Sequence, residues 1–185
     1  MLGVDVNFSM LRLARRVLES GSVSYPRRRV GVVYDRREFP ARFPGAERVD
    51  FWACDALALP FVPGSFGLAV GLNVLDCVAS PRDFLESLSG LLRPGGSALL
   101  STPYDWSPAA TPFEAWIGGH SQRGPDGGAS EPFLRTLLTF GAHPQSVTGL
   151  KVSGEIERQP WHVRLHERSG VDYDVHIVTA EAVGS

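Results

Sequence analysis

Asp5 and Asp55 each close a short apolar run, and a third set of chemically able side chains, Tyr104, Asp105 and His120, follows another. In Gly3-Val4-Asp5-Val6-Asn7-Phe8-Ser9-Met10-Leu11 the apolar residues read as the end of a strand. The carboxylate stands at its tip, and the remainder reads as the first turn of a helix. A carboxylate held there can accept two hydrogen bonds from a ribose diol, which is how nucleotide-type cofactors are held in doubly wound α/β folds. The same junction also serves as a plain helix start with an acidic first turn, so Asp5 alone decides nothing.

The elements that must position these groups follow in order. Val49–Phe61 (VDFWACDALALPF) is a short apolar strand ending in Asp55-Ala56, then Leu59-Pro60-Phe61 and the turn Pro63-Gly64-Ser65. Phe66–Leu72 is an apolar run of strand length bounded by turn residues, as expected of a buried parallel strand. Ser80-Pro81-Arg82-Asp83 supplies a helix cap, a proline at the first helical position and an acidic first turn. Phe84, Leu85, Leu88, Leu91 and Leu92 then recur at helical spacing. Pro94-Gly95-Gly96 stops that helix, and Ser97–Thr102 reads as the next strand.

The ordered stretches GVDVNFSMLRLA, DALALPF, SFGLAV and LLRPGG resemble the class I S-adenosylmethionine-dependent methyltransferases, in particular their small-molecule group, over most of residues 2–106. The resemblance implies an α/β, Rossmann-like sheet, mostly parallel with an antiparallel last strand, and S-adenosylmethionine as cofactor. It implies that Asp5 holds the ribose hydroxyls and that Asp55 accepts from the adenine amino group. Met10 and Ala56 line the adenine pocket, and Asn73, just past the SFGLAVGL run, joins the cofactor side. The expected reaction is methyl transfer to a small-molecule acceptor held collinear with the donor and away from water.

Two departures stand out. The family's glycine-rich loop should lie some twenty residues before Asp5, as in the dinucleotide folds where a glycine turn precedes the ribose acid. Only four residues precede Asp5 here, so the usual first strand is missing. Either the reading frame starts further upstream, or another chain or a second copy supplies the strand, or the chain is a methyltransferase-like interaction module that does not hold the cofactor alone. The family's Asp after Ser-Phe is replaced by Gly67.

Composition fits one soluble domain over 1–185: 43% of the residues are hydrophobic and 21% charged, enough for a single core. No apolar run approaches membrane-spanning length and the N-terminus lacks the pattern of a secretory signal, which predicts a cytoplasmic protein without a membrane partner. Cys54 and Cys77 read as small buried hydrophobes, with no metal site implied. A net charge of −2 argues against a nucleic-acid partner. The local exception is Pro26-Arg27-Arg28-Arg29 and Asp35-Arg36-Arg37 around the strand-like run Val30–Tyr34; it reads as a solvated insertion diluted by Asp35, Glu38, Glu47 and Asp50.

Beyond Thr102 the acceptor side begins. Tyr104 and Asp105 follow the strand that ends at Thr102, so they emerge at the carboxyl edge where open α/β sheets bind ligands. Residues 105–130, with Trp116, His120 and Arg123 among many small residues, read as an ordered lid. Imidazole, which exchanges protons near neutrality, makes His120 the candidate general base, and Asp105 the candidate orienter of a cationic or hydroxylated acceptor. Ser130-Glu131-Pro132 caps a further helix with Phe133, Leu134, Leu137, Leu138 and Phe140 as its apolar stripe. Leu150–Ile156 and Tyr173–Thr179 then alternate as the last two strands, with Gln159–Arg168 between them as a connection in which Trp161 and His162 are candidate pocket lining.

Overall fold

The computed structural model describes residues 1–183 and divides into two compact units, residues 1–58 with 162–172, and residues 59–161 with 173 onward. In the first, β1 (Leu2–Asp5) pairs in parallel with β4 (Asp50–Ala53), in a register that puts Asp5 opposite Ala53. Helix α1 (Phe8–Ser20) starts where Asn7 Oδ1 accepts the amides of Ser9 and Met10. It ends at Gly21, whose left-handed φ of 65° lets its amide reach the Val17 carbonyl. The basic segment is an antiparallel hairpin of β2 (Ser22–Val30) and β3 (Val33–Pro40). Val30–Tyr34 is therefore not a strand of its own but spans the hairpin's Gly31-Val32 turn: Gly31 takes φ 53°, Val30 pairs with Val33, and Val32 is 90% exposed.

The second unit holds a sheet ordered β5-β6-β8-β7. Here β5 (Phe66–Leu72) runs parallel to β6 (Leu92–Thr102), and β6 runs antiparallel to β8 (Ser169–Ala182); β7 is Leu150–His166. The sheet is thus parallel through its first pair with an antiparallel final strand, as the resemblance implies. Helix α2 (Pro81–Leu91) is capped by Ser80 Oγ on the Asp83 amide and buries Phe84, Leu85, Leu88 and Leu91. Each such side chain contributes about 1.5–3 kcal/mol of apolar burial. Gly71 on β5 makes room for this face, because a Cβ there would stand 3.1 Å from the Phe84 ring and 3.2 Å from Leu100.

Four further expectations are corrected. The run Phe66–Leu72 is not wholly buried: among the described residues β5 pairs only with β6, and Leu68, Val70 and Leu72 are more than half exposed. Helix α3 (Ser130–Leu137) has Ala129 at its cap, Ser130 inside its first turn, and ends before Phe140, which is 82% exposed. Gln159–Arg168 does not lie between the last two strands but largely within them, continuing β7 into a hairpin with β8. In the first unit that hairpin's turn is tied to β2, the Glu167 amide donating to the Arg29 carbonyl at 3.1 Å and the Arg29 guanidinium to Glu167 at 3.1 Å. Lastly, Cys77 is exposed in a 3₁₀ turn (Leu75–Cys77) after β5, and Cys54 is half-buried.

Candidate functional site

In the first unit the two acidic residues stand at neighbouring strand tips, since β1 ends at Asp5 and β4 ends two residues before Asp55, and the Cys54 amide donates to the Asp5 carbonyl. Asp5 Oδ1 accepts the Asn7 amide at 2.7 Å, and Asp55 Oδ1 accepts the Leu57 amide at 2.9 Å. Each bond fixes its carboxylate in a short turn, and neither second oxygen has a protein partner among the described residues. Such free oxygens fit a nucleoside: one can accept from a diol, the other from an exocyclic amine. Met10 projects from the first turns of α1 and is half exposed, and Ala56 follows Asp55 directly.

In the second unit the chemistry gathers at the ends of β5, β6 and β8. Asn73 and Tyr104, one residue past β5 and two past β6, are both non-glycine residues in the left-handed region, with φ 53° and 55°. Strain of this kind is held where surrounding bonds over-determine it. The Asn73 amide donates to the Ser101 carbonyl at 2.8 Å, and Ser101 Oγ donates to Asn73 Oδ1 at 2.8 Å. Asp76, 2% exposed in the 3₁₀ turn, accepts the Asp105 amide on Oδ2 at 2.8 Å. Tyr173 donates its hydroxyl to Asp105 Oδ2 at 3.0 Å.

Behind this surface Tyr104 is hydrogen-bonded through its hydroxyl to His176 Nδ1 at 2.7 Å. Burial holds the Tyr104 phenol far above its usual range, so it stays protonated and donates. Burial also pushes His176 down, against the opposing pull of Glu155, so the imidazole is neutral near pH 7. With Nδ1 accepting from Tyr104 its proton sits on Nε2, which is buried without a hydrogen-bond partner 4.0 Å from Glu155. Tyr104 thus has its proton committed to His176, which makes it a positioning group more than a base. Glu155 is in turn held by both oxygens on Arg135, at 2.8 and 3.0 Å.

A pH dependence follows with a definite sign. The unfolded histidine binds a proton near its ordinary value of about 6.5 and the buried one only below it, so the unfolded state takes up more protons between the two values. Stability from this residue is complete above that ordinary value and falls as pH drops toward the folded value. His176→Gln, which can still accept from Tyr104, is expected to flatten thermal stability between pH 8 and 5 relative to the parent. An unchanged slope would assign the pH dependence to other groups.

The segment 105–130 is ordered by rings. Trp106 stacks on Trp116 with centroids 6.0 Å apart and 16° between planes, Phe113 abuts Trp116 at 5.0 Å, and Phe113 meets His120 edge-on at 5.9 Å. Trp106 Nε1 donates to Ser130 Oγ at 3.2 Å and Trp116 Nε1 to the Thr111 carbonyl at 2.9 Å, while Thr111 and Ile117 are fully buried. His120 stands exposed at the outer end of this row, on a shallow polar concavity of about 300 Å³ with Ser121, Gln122 and Gly128. The structure pairs Tyr104 with His176 and Asp105 with Asp76 and Tyr173, and places His120 against Phe113 at the far end of the aromatic row that begins at Trp106. Sequence reasoning missed Asp76, Tyr173 and His176. Asp76 and Tyr173 lay beside motifs already read, and His176 was a polar residue at an inward position of the YDVHIVT strand.

A larger cavity of about 940 Å³, lined by Leu92, Leu138, Phe140, Leu150 and Val183 among others, opens at the opposite ends of these strands and contains none of these groups. In the first unit His162 Nδ1 lies 2.6 Å from Asp172 on the exposed hairpin, and His166 accepts the Arg168 amide. No group of three or more metal-ligating side chains occurs among the described residues. No helix among them is long and apolar enough to cross a membrane.

Residues 1–100, more than half of the chain, match the family described as "Methyltransferase domain". The chain belongs to that family. Solved structures of the same fold include a SAM-dependent methyltransferase from Methanosarcina mazei, at 17% identity over all of this chain and 82% of that one, with a TM-score of 0.55. Another is a complex of the Haloferax volcanii methyltransferase activator Trm112 with its methyltransferase partner, at 14% identity over 99% of this chain and 72% of that one, TM-score 0.58. YcgJ from Bacillus subtilis matches at 12% identity over 100% and 82%, TM-score 0.51. No curated protein matches. At these identities the likeness is one of fold, and the family match is what supports methyl transfer in general terms.

Proposed function

We propose that the chain is an S-adenosylmethionine-dependent methyltransferase acting on a small-molecule acceptor. The observation that supports this best is the pair of strand-tip carboxylates, each anchored by one backbone amide and each with an oxygen left for a ligand. Asp5 and Asp55 would hold the ribose and the adenine amine, with Met10 and Ala56 against the base. In the second unit Asn73, one residue past β5, is the residue proposed for the cofactor side. Bound there, the cofactor supplies an electrophilic methyl group. The chain's own share is to position the acceptor with Tyr104, Asp105 and the segment 105–130, and His120 is the proton acceptor available where an acceptor must be deprotonated.

A second reading, a non-catalytic interaction module whose strand partner is another chain or a second copy, is favoured by one observation. Among the described residues β1 pairs only with β4 and β5 only with β6, each leaving one edge open, and the side chains along β5 are half exposed. Calorimetric titration with S-adenosylmethionine and with adenosine separates the readings. The residues named here address only the nucleoside, so the two ligands are expected to bind with affinities within about threefold, roughly 0.7 kcal/mol. Absence of binding by either would remove the enzyme reading for this chain and leave the module.

A further inference from the structure

Asp76 is 2% exposed, and while its Oδ2 accepts the Asp105 amide, its Oδ1 is buried with no hydrogen-bond partner. A buried carboxylate oxygen left bare costs on the order of 1–3 kcal/mol or more, so the fold maintains a standing demand for a donor at this point. Beside it Asp105 is exposed and spends only Oδ2 on Tyr173. Among the described residues no ion pair reaches either carboxylate. Burial and then both carboxylates push the Cys77 thiol up, and the hydrogen bond to Asp105, then its charge, push the Tyr173 phenol up.

The residues on either side of Asp105 are aromatic. Tyr104 and Trp106 lie with ring centroids 6.2 Å apart, and Trp106 continues into the Trp116 stack. Two unpaired carboxylates, one with a buried orphan oxygen, next to π faces form an environment that attracts an organic cation bearing several N–H donors. It repels an anion and leaves an alcohol, with its single donor, short of partners.

We propose that the tips of β5 and β6 form a recognition site for an organic ammonium, a primary or secondary amine held by Asp105 in front of the buried Asp76 carboxylate, with its hydrocarbon part against Tyr104 and Trp106. This deepens the methyltransferase reading and rests on it for the site's role, since it makes the acceptor an amine. Its ammonium form must first give one N–H proton to the free oxygen of Asp105 so that the nitrogen lone pair can take a methyl group. The ammonium would donate to the free oxygen of Asp105, and its charge would offset that of the buried Asp76 carboxylate behind it.

The test uses the full chain and three probes of one shape, 2-phenylethylammonium, 2-phenylethanol and 3-phenylpropionate, followed by tryptophan fluorescence and by calorimetry. The ammonium is expected to bind at least about tenfold more tightly than the alcohol, the gain of one charge-assisted hydrogen bond, with no binding of the carboxylate. Asp105→Asn, which can still accept from Tyr173, is expected to bring ammonium and alcohol within about threefold of each other. Asp76→Asn, which can still accept the Asp105 amide, is expected to do the same where it folds. Equal binding of ammonium and alcohol by the parent protein, or a preference undiminished in folded Asp105→Asn, would overturn the proposal. A protein that binds adenosine but not the ammonium overturns it and leaves the methyltransferase reading standing. Ammonium binding without adenosine binding overturns that reading instead.

Discussion

Replacing Asp5 or Asp55 by alanine is expected to weaken adenosine binding roughly tenfold to hundredfold, about 1.5–3 kcal/mol for a hydrogen bond to a charged acceptor. The midpoint of thermal unfolding should move little. Both residues stand at strand tips, and each loses only a local bond, to the Asn7 amide at 2.7 Å or to the Leu57 amide at 2.9 Å. Asparagine separates the two functions. It can still close the same short turn through its carbonyl oxygen but brings no charge to the ligand, so Asp5→Asn and Asp55→Asn should keep the fold and lose much of the affinity. An NMR titration of each variant with adenosine, alongside its melting curve, provides the measurement. Full affinity in well-folded alanine variants at both positions would take these carboxylates out of nucleoside recognition.

These carboxylates were legible in the sequence because their position depends on local signals alone. An apolar run, an acid and a capping Asn7 specify a strand tip and a helix start within a few residues, and α1 begins there. The same is true of α2, where Ser80, Pro81 and the spacing of Phe84, Leu85, Leu88 and Leu91 all agree. Where one local signal stood alone, it misled. Val30–Tyr34 is apolar enough for a strand, but Gly31 turns the chain, and the flanking arginines pair across a hairpin that the pattern of hydrophobicity does not mark. Gln159–Arg168 lacks alternation because both of its faces are exposed, so pairing within a hairpin and not burial keeps it extended.

The acceptor side was only half legible for a different reason. Tyr104 and Asp105 follow from the carboxyl-edge rule, which needs no more than the end of a strand. Their partners come from chain segments far apart: Asp76 from the turn after β5, and Tyr173 and His176 from β8. Nothing in local composition tells a histidine bonded to a buried tyrosine from one on a surface. His120, chosen for its residue type in a promising loop, lies at the outer end of the aromatic row instead of beside Asp105's partners. Residue type identified the chemistry available, and tertiary pairing decided which of it is brought together.

Substitution of Gly118 tests whether the segment 105–130 is seated by its backbone or by its rings. Gly118 has φ +75°, and a Cβ there would stand 2.7 Å from Ser130 Cα and 2.8 Å from the Ala129 carbonyl oxygen, backbone atoms at the start of α3 that cannot swing aside. Gly118→Ala therefore combines a left-handed alanine, about 1–2 kcal/mol, with overpacking of about 1–3 kcal/mol, for roughly 2–5 kcal/mol in all. Gly127 is the internal control: its φ is +68° but nothing lies within 4 Å of its Cβ position, so Gly127→Ala should cost only the conformational part, about 1–2 kcal/mol. The opposing grip is the Trp106–Trp116 stack, the two indole hydrogen bonds and buried Ile117, which together are of similar size. With the two so closely matched, Gly118→Ala is expected either to lower the unfolding midpoint sharply or to release the segment. Release would show as a lost near-ultraviolet tryptophan signal, faster proteolysis between residues 105 and 130, and weaker binding of 2-phenylethylammonium because Trp106 no longer holds its place beside Asp105. Small and equal effects of both substitutions would mean that the glycine contact with α3 does not seat the segment and that the aromatic row alone holds it.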